Sequence, residues 1–459
     1  MEKRRIRDPI HGLIVFDLDK DDGFDRIAWQ LINSRELQRL RRIKQLGFSE
    51  LVFPGATHSR FAHSVGVFNN ARQLMKVLKR EAGVIDPERE KVILAAALLH
   101  DIGHGPFSHA FENAREAVAL QRGNGPIKNH EVFSAALIRS PDGSISKILG
   151  TDLANQVARL IESDDPIDMY HAVISSSFDA DRLDYVMRDR YMTGVGAGAI
   201  DQDWLVDNLT TQTVVVQQDD EPRDIQTFVF KLKGRQAAED FLLARYRLYS
   251  QVYLHKTTRG FEQLATALFK YVGNDSANLT KLGVQSNHPL LEFLRTPEFG
   301  TDPSLDGRRL QLFMRLDDMS IWSFIEQVSH GDDQYARQLA SKLMWRDPMK
   351  VIDISAELGH DREVLLNAES RLDSYIKDQH GSTVFKDRAP LNLYSRIGGE
   401  MTKEHKKVRV LDGSGKAREI TWFGETIISE RLTQKDVLVR YFFFSEEERS
   451  KARKVMVGG

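Results

Sequence analysis

One segment of this 459-residue chain joins an apolar helix to a cluster of ionisable side chains. Residues 91–99 are apolar nearly all round and rich in good helix formers, which predicts a buried helix. His100 and Asp101 end that helix inside the fold, where a charge is costly unless it is paired or coordinated. Gly103 and Gly105 then allow the backbone to turn, so that adjacent side chains can reach one ion. The segment predicts a helical core that carries a metal-dependent site.

Histidines are concentrated around this segment. Six of the chain's 14 histidines lie between residues 58 and 130. They are His58, His63, His100, His104, His109 and His130. A lone buried histidine is usually a core residue bonded to a neighbour, but six of them beside acidic residues are typical of a metal or catalytic site.

The composition limits the available chemistry. With 64 basic and 66 acidic residues the formal net charge is -2, so no overall attraction to nucleic acid or to an anionic membrane is expected. The absence of cysteine removes thiolate ligands, cysteine nucleophiles and disulfides. Any metal is then held by nitrogen and oxygen, which suits Mn, Fe, Mg, Ni or Zn without distinguishing them. No signal-like region and no apolar run of the roughly 18 residues that span a bilayer occur, so we expect a soluble cytoplasmic protein.

Hydrophobic periodicity predicts a mainly α fold, with a helical core, a small inserted β-hairpin and a smaller α+β C-terminal domain. The two domains are expected at residues 1–345 and 346–459, with the hairpin at about 211–233. Helices are expected at about 27–43, 60–80, 88–101, 129–139, 153–163, 166–176, 178–191, 361–377 and 445–456, and further long helices are expected over about 235–273. Strands in the second domain are expected at 351–354, 408–410 and 437–444. Ser445 and Glu448 form a capping-box pattern for the last helix.

A metal site needs more ligands than His100 and Asp101. His63, near the start of the helix expected at 60–80, is the natural third ligand. A fourth ligand from a later helix is one of three carboxylates, Asp179, Asp181 or Asp184. Spacing alone does not choose among them. Two histidines and two carboxylates leave coordination positions for water, as a hydrolytic metal requires and a structural metal does not.

Several motifs resemble those of a known enzyme family. They are Asp8–Gly12, Gln38–Gly47, Phe53–Ser64 and Asp101–His109. Together with an H…HD…D order of residues, they resemble the HD-domain deoxynucleoside triphosphate (dNTP) triphosphohydrolases over about residues 4–260. The resemblance implies that one divalent ion is bound by His63, His100, Asp101 and Asp181, and it allows a second ion with the substrate phosphates. Part of that family carries a SAM domain, which we do not expect here because the motifs begin near Met1.

The resemblance also implies a reaction. Water attacks the α-phosphorus of a dNTP and the 5′-oxygen leaves, which gives a deoxynucleoside and inorganic triphosphate. His109 is then the candidate general acid, and Glu112, where the family usually has Asp, holds its tautomer and charge from one helical turn away. His104, His130 and Glu131 complete the catalytic group. An exposed loop histidine is the competing interpretation of His130.

The substrate contacts that the resemblance implies come from three parts of the chain. They comprise Gln45, Arg60, Arg182, Tyr185, Asp189, Arg245 and Tyr253. Arg60 and Arg182 neutralise phosphates, although Arg182 stands where the family usually has Lys, and Arg245 and Tyr253 match pocket residues. Gln45 and Asp189 match the pair that binds the sugar 3′-hydroxyl, and Tyr185 matches the ring on the C2′ side of the deoxyribose. Leu254 stands where a base-side glutamine is typical, which leaves the base preference open.

A second nucleotide is implied by the same resemblance, as an activator bound between subunits of a homotetramer. The candidate activator residues are Asn33, Gln38, Arg41, Lys231 and Lys233. Asn33 replaces an aspartate that reads guanine, so guanine selectivity is not expected. The alternative is that the basic residues of 35–44 form a solvated face.

These observations favour a metal-dependent dNTP triphosphohydrolase. One alternative is an HD-type phosphodiesterase or nucleotidase acting on another nucleotide, which would not release intact triphosphate. The other is a single-stranded nucleic-acid-binding protein that uses the arginine-rich helix and Lys403–Lys407. The expected partners are a dNTP, an activating nucleotide and further copies of the chain, but neither nucleic acid nor a membrane.

Overall fold

The computed structural model describes residues 2–19, 23–121, 129–163, 168–196, 200–218, 221–274, 277–295, 307–359, 361–378, 383–391, 406–424, 426, 428 and 436–458. An N-terminal hairpin of β1 (Lys3–Asp8) and β2 (Gly12–Asp17) opens the chain. Helices follow as α1 (Asp25–Ile32), α2 (Arg35–Arg39), α3 (Arg60–Ala82), α4 (Pro87–Leu99), α5 (His109–Gln121), α6 (His130–Arg139), α7 (Ser144–Leu149), α8 (Thr151–Glu162), α9 (Ala180–Thr193) and α10 (Gln202–Asp207).

A second hairpin is inserted between helices. Its strands are β3 (Leu209–Gln218) and β4 (Glu221–Phe230), which pair antiparallel over their full length. After the hairpin come α11 (Arg235–Leu248), a π-helical turn at Tyr249–Tyr253, and α12 (Lys256–Gly273). The helical part ends with α13 (Pro289–Arg295), α14 (Gly307–Met314), α15 (Asp318–Ser329) and α16 (Gln334–Met344).

The C-terminal region mixes strands and helices. Its elements are β5 (Lys350–Asp353), α17 (Ile354–Leu358), α18 (Arg362–Asp378), β6 (Val384–Leu391), β7 (Arg409–Leu411), β8 (Ala417–Glu419), β9 (Asp436–Phe443) and α19 (Glu446–Val457). β9 lies between β5 and β6 in an antiparallel sheet, and α18 and α19 pack on it. β7 and β8 instead extend the β3–β4 hairpin, where Phe230 pairs with Val410. The mainly α fold with an α+β C-terminal region is confirmed, and the boundary at residue 345 stays a prediction.

The centre of the helical part is α4, in which every side chain from Val92 to Leu99 is buried. α3 packs against both α4 and α9. The close approach of α3 to α9 depends on Gly66, since a Cβ atom there would lie 1.9 Å from Oδ1 of Asp184. The buried helix that the sequence predicts is therefore present, and it ends at Leu99, so that His100 begins the turn.

Two predicted helices are wrong. The helix expected at 27–43 breaks after Ile32, because the Ser34 hydroxyl accepts a hydrogen bond from the Leu37 amide and starts α2. Of residues 166–176, those described form only a 3₁₀ turn at His171–Val173. The inserted hairpin ends at Phe230, before the lysines that the sequence placed in it. The N-terminal hairpin and β6 were not predicted.

No helix within the described ranges is both long and apolar enough to cross a bilayer. Most of the basic segment Lys403–Lys407 lies outside the described residues.

Candidate active site

Two histidines direct their Nε2 atoms at shared carboxylates. His63 lies in the first turn of α3, and His100 follows the last residue of α4. Oδ1 of Asp181 is 3.0 Å from Nε2 of His63 and 3.7 Å from Nε2 of His100. Asp101 lies 3.2 Å from Nε2 of His100 through Oδ1 and 3.7 Å from Nε2 of His63 through Oδ2. The four side chains expected to bind a metal are thus brought together.

The Nδ1 atoms of both histidines have acceptors of their own. Nδ1 of His63 is 2.8 Å from a carboxylate oxygen of Asp184, and Nδ1 of His100 is 3.0 Å from the Ala97 carbonyl. A proton on each Nδ1 leaves the Nε2 lone pair free, which is how protein histidines are oriented toward metals. Nε2 of His100 is buried without a hydrogen-bond partner among the described residues. These nitrogen and oxygen donors fit a divalent metal ion.

The electrostatics of the cluster also favour a cation. Burial opposes a charge on His63, but the carboxylates of Asp181 and Asp184 outweigh it and raise its pKa to about 10. Burial likewise opposes the charge on Asp101, yet Arg60 and His100 hold the pKa of its carboxyl well below the usual range. Burial also opposes the charge on Asp181, yet hydrogen bonds from His100 and His63 hold the pKa of its carboxyl below the usual range. The Asp101 and Asp181 carboxylates are therefore ionised at neutral pH, and a divalent ion between them would be stabilised in place of the proton that the raised pKa puts on Nε2 of His63.

The structure separates the three aspartates that spacing left as alternatives. Asp179 caps α9, accepting a hydrogen bond from the Arg182 amide at 2.8 Å, and it pairs with the Arg182 guanidinium. Asp184 binds Nδ1 of His63 from behind the ring. Asp181 faces the Nε2 atoms of both histidines, which is the position of a ligand.

Asp184 is the centre of a buried network that supports His63. Nε2 of His11 lies 2.6 Å from its Oδ1, and Nε of Arg188 donates to its Oδ2 at 2.8 Å. Arg188 also donates to Asp8 at 2.8 Å. The Asp8–Gly12 motif therefore reaches the site through His11. The sequence analysis identified this motif but assigned no role to it. The pairing of Asp184 with Arg188 could have been predicted, because residues four apart on a helix are neighbours.

A second cluster of histidines surrounds one carboxylate. Nδ1 of His109 and Nδ1 of His130 each lie 3.0 Å from an oxygen of Glu112, and Nδ1 of His104 lies 3.3 Å away. The rings of His104 and His130 stack with centroids 3.7 Å apart. Burial opposes the charge on Glu112, but His130 and His109 hold its pKa well below the usual range. Glu131 lies apart from this contact, accepting a hydrogen bond from Asn129.

The two clusters meet at Asp101 and Arg60. Nε2 of His104 lies 3.4 Å from Asp101, whose other oxygen pairs with Arg60. Nε of Arg60 donates to Ser108 at 2.9 Å. Burial, together with the charges of Arg60 and His130, lowers the pKa of His104 to about 4. His104 is therefore a neutral ring between two charged groups.

The remaining predicted substrate residues line one face of α9 and its surroundings. Tyr185 accepts a hydrogen bond from Nε of Arg245 at 3.0 Å. One turn further on, Asp189 accepts a hydrogen bond from the Tyr253 hydroxyl at 2.6 Å. The rings of Tyr185 and Tyr253 lie edge to face, with centroids 6.4 Å apart. The π-helical turn thus directs a hydroxyl onto α9.

His58 is a member of this group that sequence reasoning did not assign to the site. Its Nε2 donates to Asp189 at 2.8 Å, and its carbonyl accepts the Gln45 amide at 3.0 Å. Nδ1 of His58 and Oε1 of Gln45 are buried without hydrogen-bond partners among the described residues. Buried polar atoms of this kind usually have a partner, so both are available to a bound ligand. Its membership of the histidine cluster was the only sequence feature that pointed to a role for His58.

Comparisons with known proteins agree with this geometry. Residues 60–185 match the HD domain, and residues 218–363 match the HD associated region. An uncharacterized protein of Mycoplasma pneumoniae is 30% identical over 329 residues, which cover 71% of this chain and 72% of that protein. The chain belongs to the HD-domain phosphohydrolase family. It spans little more than half the length of the first curated relatives that it matches.

Other relatives of this HD-domain protein have assigned activities. It is 26% identical over 424 residues to the deoxynucleoside triphosphate triphosphohydrolase SAMHD1 homolog of Dictyostelium discoideum, covering 88% of this chain and 73% of that protein. A crystal structure of a phosphohydrolase from Bacteroides thetaiotaomicron superimposes with a TM-score of 0.74 and 27% identity, over 96% of this chain and all of that chain.

The candidate activator residues lie on separate elements. Asn33 and Gln38 donate to backbone carbonyls at the α1–α2 junction, and Arg41 stacks on Phe61 at 3.6 Å. Lys231 and Lys233 come directly after β4, the second strand of the inserted hairpin. An activator site that uses both groups stays a prediction.

Two residues outside the predicted site position the loop between α4 and α5. Arg39, which is 1% exposed, donates to the carbonyls of Ile102 and His104 at 3.3 and 3.0 Å. For Arg39 the interpretation as part of a solvated face is therefore wrong. Asp318 accepts the amides of both Phe107 and Lys44 at 2.8 Å. Phe107 has a positive φ of 53°, so the loop needs these contacts to hold its conformation.

Replacing Asp318 by asparagine is expected to destabilise the protein by an amount that depends on pH. Burial raises the pKa of Asp318 to about 6, so its ionisation weakens the folded state as the pH rises, whereas asparagine does not titrate. The stability advantage of wild type over the variant should therefore be larger at pH 4.5 than at pH 7, by about 2 kcal/mol. Urea unfolding at both pH values measures this difference, and an advantage that grows with pH would contradict the role of Asp318.

Proposed function

We propose that this protein hydrolyses dNTPs to deoxynucleosides and inorganic triphosphate. The observation that carries the proposal is the spacing of three side chains on α9. Asp181, Tyr185 and Asp189 recur every four residues and so share one helix face. At a rise of 1.5 Å per residue they extend over about 12 Å. That length suits a 5′-phosphate at one end, a sugar ring in the middle and a 3′-hydroxyl at the other end.

The phosphate end of the site is the metal cluster with its arginines. His63, His100, Asp101 and Asp181 would hold a divalent ion, which supplies a Lewis acid for the phosphate and lowers the pKa of water. Arg60 and Arg182 neutralise phosphate oxygens, and both are buried beside carboxylates that keep them oriented. In the reaction water adds to the α-phosphorus, and the bond to the 5′-oxygen breaks.

The leaving 5′-oxygen must take up a proton. His109 is placed to donate it, since its Nδ1 is held by Glu112 and its Nε2 has no hydrogen-bond partner among the described residues. His130 shares Glu112, and burial opposed by that carboxylate leaves its pKa raised, so His130 adds positive charge for the triphosphate product.

Product analysis tests this function directly. The purified protein is incubated with each dNTP singly and in mixtures, with Mn²⁺ and with the other divalent ions, and the products are separated by anion exchange. We expect deoxynucleoside and intact triphosphate from wild type and neither from Asp101→Ala. Release of orthophosphate or pyrophosphate would favour the phosphodiesterase or nucleotidase alternative. No hydrolysis of any mixture with any ion would contradict the proposal. Activity restricted to mixtures would show that a second nucleotide is required as an activator.

Replacing His58 by phenylalanine is expected to weaken recognition of the 3′-hydroxyl. The ring volume is kept, but Asp189 loses the donor that orients its carboxylate. The KM for a dNTP should rise about tenfold, the usual effect of losing a hydrogen bond to a charged group. The KM for a 2′,3′-dideoxynucleotide should change little, because it has no 3′-hydroxyl. His330→Phe, at an exposed position, is the control, and an equal rise for both nucleotides would exclude this role.

A further inference from the structure

One row of charged residues crosses the C-terminal sheet. Arg440 on the central strand β9 lies opposite Asp353 on β5 and opposite Asp387 on β6. Residues directly opposite one another in an antiparallel sheet point to the same face. Nε of Arg440 donates to Asp353 at 2.7 Å, and these two side chains are only 11% and 17% exposed. The row therefore presents fixed charges to whatever packs on that face.

The row contacts the helical part of the molecule at two points. Nη1 of Arg440 donates to the Leu254 carbonyl at 2.5 Å. Asp387 accepts two hydrogen bonds from Arg259 on α12, at 2.9 Å from Nε and 2.5 Å from Nη2. Leu254 and Arg259 are five residues apart in the chain, on either side of the corner between the π-helical turn and α12. The C-terminal sheet thus holds this corner from both sides.

The corner carries Tyr253, which with Tyr185 and Asp189 forms the group that we call the nucleoside pocket. Leu254 directly follows Tyr253, whose hydroxyl donates to Asp189. The Leu254 amide donates to the Tyr249 carbonyl at 2.9 Å, and this bond across five residues makes the turn π-helical. Such turns are rare and frequently occur at functional sites. Both backbone polar groups of Leu254 are therefore used, one to form the turn and the other to bind Arg440.

We infer that the C-terminal sheet is a clamp that positions the nucleoside pocket, with Arg440 acting on Tyr253 through the Leu254 carbonyl. Arg440 is a positioning residue, and Asp387 holds the start of α12 in the same way. A hydrogen bond from a charged donor in a largely buried contact is stronger than one between neutral groups. The link to a nucleoside ligand rests on the proposed function, whereas the clamp itself does not.

Hydrogen exchange tests the clamp without substrate. In the full-length protein carrying Arg440→Gln, amides of residues 249–256 should exchange at least about tenfold faster than in wild type, because local opening is no longer opposed by the charged contact. Arg440→Lys should restore part of the protection. Arg453→Gln is the matched control, because it removes an arginine from an exposed ion pair with Glu357 in the same region. Unchanged exchange in 249–256 for a folded Arg440→Gln protein would overturn the inference.

A second variant covers the case in which Arg440→Gln does not fold. Asp387→Asn leaves Arg440 in place and weakens the other contact of the clamp, with Arg259. It should also accelerate exchange at the corner, over residues 254–262, while the amides of β5 and β9 remain as protected as in wild type. Protection at the corner equal to that of wild type would show that the sheet does not hold it.

Kinetics connect the clamp to the pocket. Arg440→Gln should raise the KM for a dNTP about tenfold while kcat changes less than about threefold, since the phosphate end is untouched. In a Tyr253→Phe background the same substitution should have less effect on KM, because the two residues act through one contact. Equal effects in both backgrounds would separate Arg440 from Tyr253. Failure of wild type to release triphosphate would remove the proposed function and leave the exchange result to decide the clamp.

Discussion

Replacing Asp181 by alanine is expected to remove bound metal and to lower triphosphate release by about a thousandfold or more, because activation of water depends on the divalent ion. The fold should survive this change. The Asp181 side chain is 38% exposed and its contacts are with the two histidines, which retain their Nδ1 acceptors. Bound metal itself raises the melting temperature, so the comparison is with metal-free wild type. Loss of activity with a melting temperature equal to that of metal-free wild type would report chemistry and not unfolding.

Metal content of the purified protein and triphosphate release are the two measurements for Asp181→Ala. Asp203→Ala is the control, since Asp203 is an exposed carboxylate in the first turn of α10. It should keep both metal and activity. A variant at Asp181 that binds metal and turns over substrate as wild type does would remove this residue from the ligand set.

Replacing Asp184 by asparagine is expected to have the largest effect on stability. Asp184 is fully buried and contacts His63, His11 and Arg188. Asparagine directs an amide toward donors that need an acceptor, and it leaves the charge of Arg188 only partly compensated. Breaking a buried charge network of this kind costs about 3–5 kcal/mol. Because Asp184 also orients His63, metal affinity should fall about tenfold to a hundredfold.

Urea unfolding and metal titration measure the two effects of Asp184→Asn. Arg139→Gln is the matched control, because Arg139 forms a two-point ion pair with Glu162 near the surface. Surface pairs contribute at most about 1 kcal/mol. An Asp184→Asn protein that unfolds at the same urea concentration as this control would show that the buried network around Asp184 does not stabilise the fold.

Local patterns in the sequence were sufficient for much of this structure. The apolar residues 91–99 predicted the buried helix α4, and Ser445 with Glu448 predicted the capping box of the last helix. The helix expected at 27–43 failed because periodicity does not register a break that one Ser34 hydroxyl creates. The N-terminal hairpin was missed because β1 is rich in arginine without clear alternation, and β2 is only a short apolar run.

The residues of the candidate site were also only partly predictable from local sequence patterns. His63, His100 and Asp101 could be proposed from residue types near one another in sequence, but Asp181 could not be separated from Asp179 and Asp184 without the resemblance to a family. In the structure the three carboxylates face different groups, and of the three Asp181 faces both Nε2 atoms. Contacts between distant segments left no sequence signal. Asp318 binds the Phe107 amide across 211 residues, and Arg440 binds the Leu254 carbonyl across 186.

The repeat of Asp181, Tyr185 and Asp189 along α9 has a consequence for how such a chain can change. An inserted or deleted residue inside this stretch would rotate everything after it by about 100°. Asp189 would then leave His58 and Tyr253, while Asp181 stayed with its histidines. All nine residues from 181 to 189 are buried or half-buried, and the length of the helix over this stretch is fixed. Insertions and deletions should therefore be excluded from these nine residues.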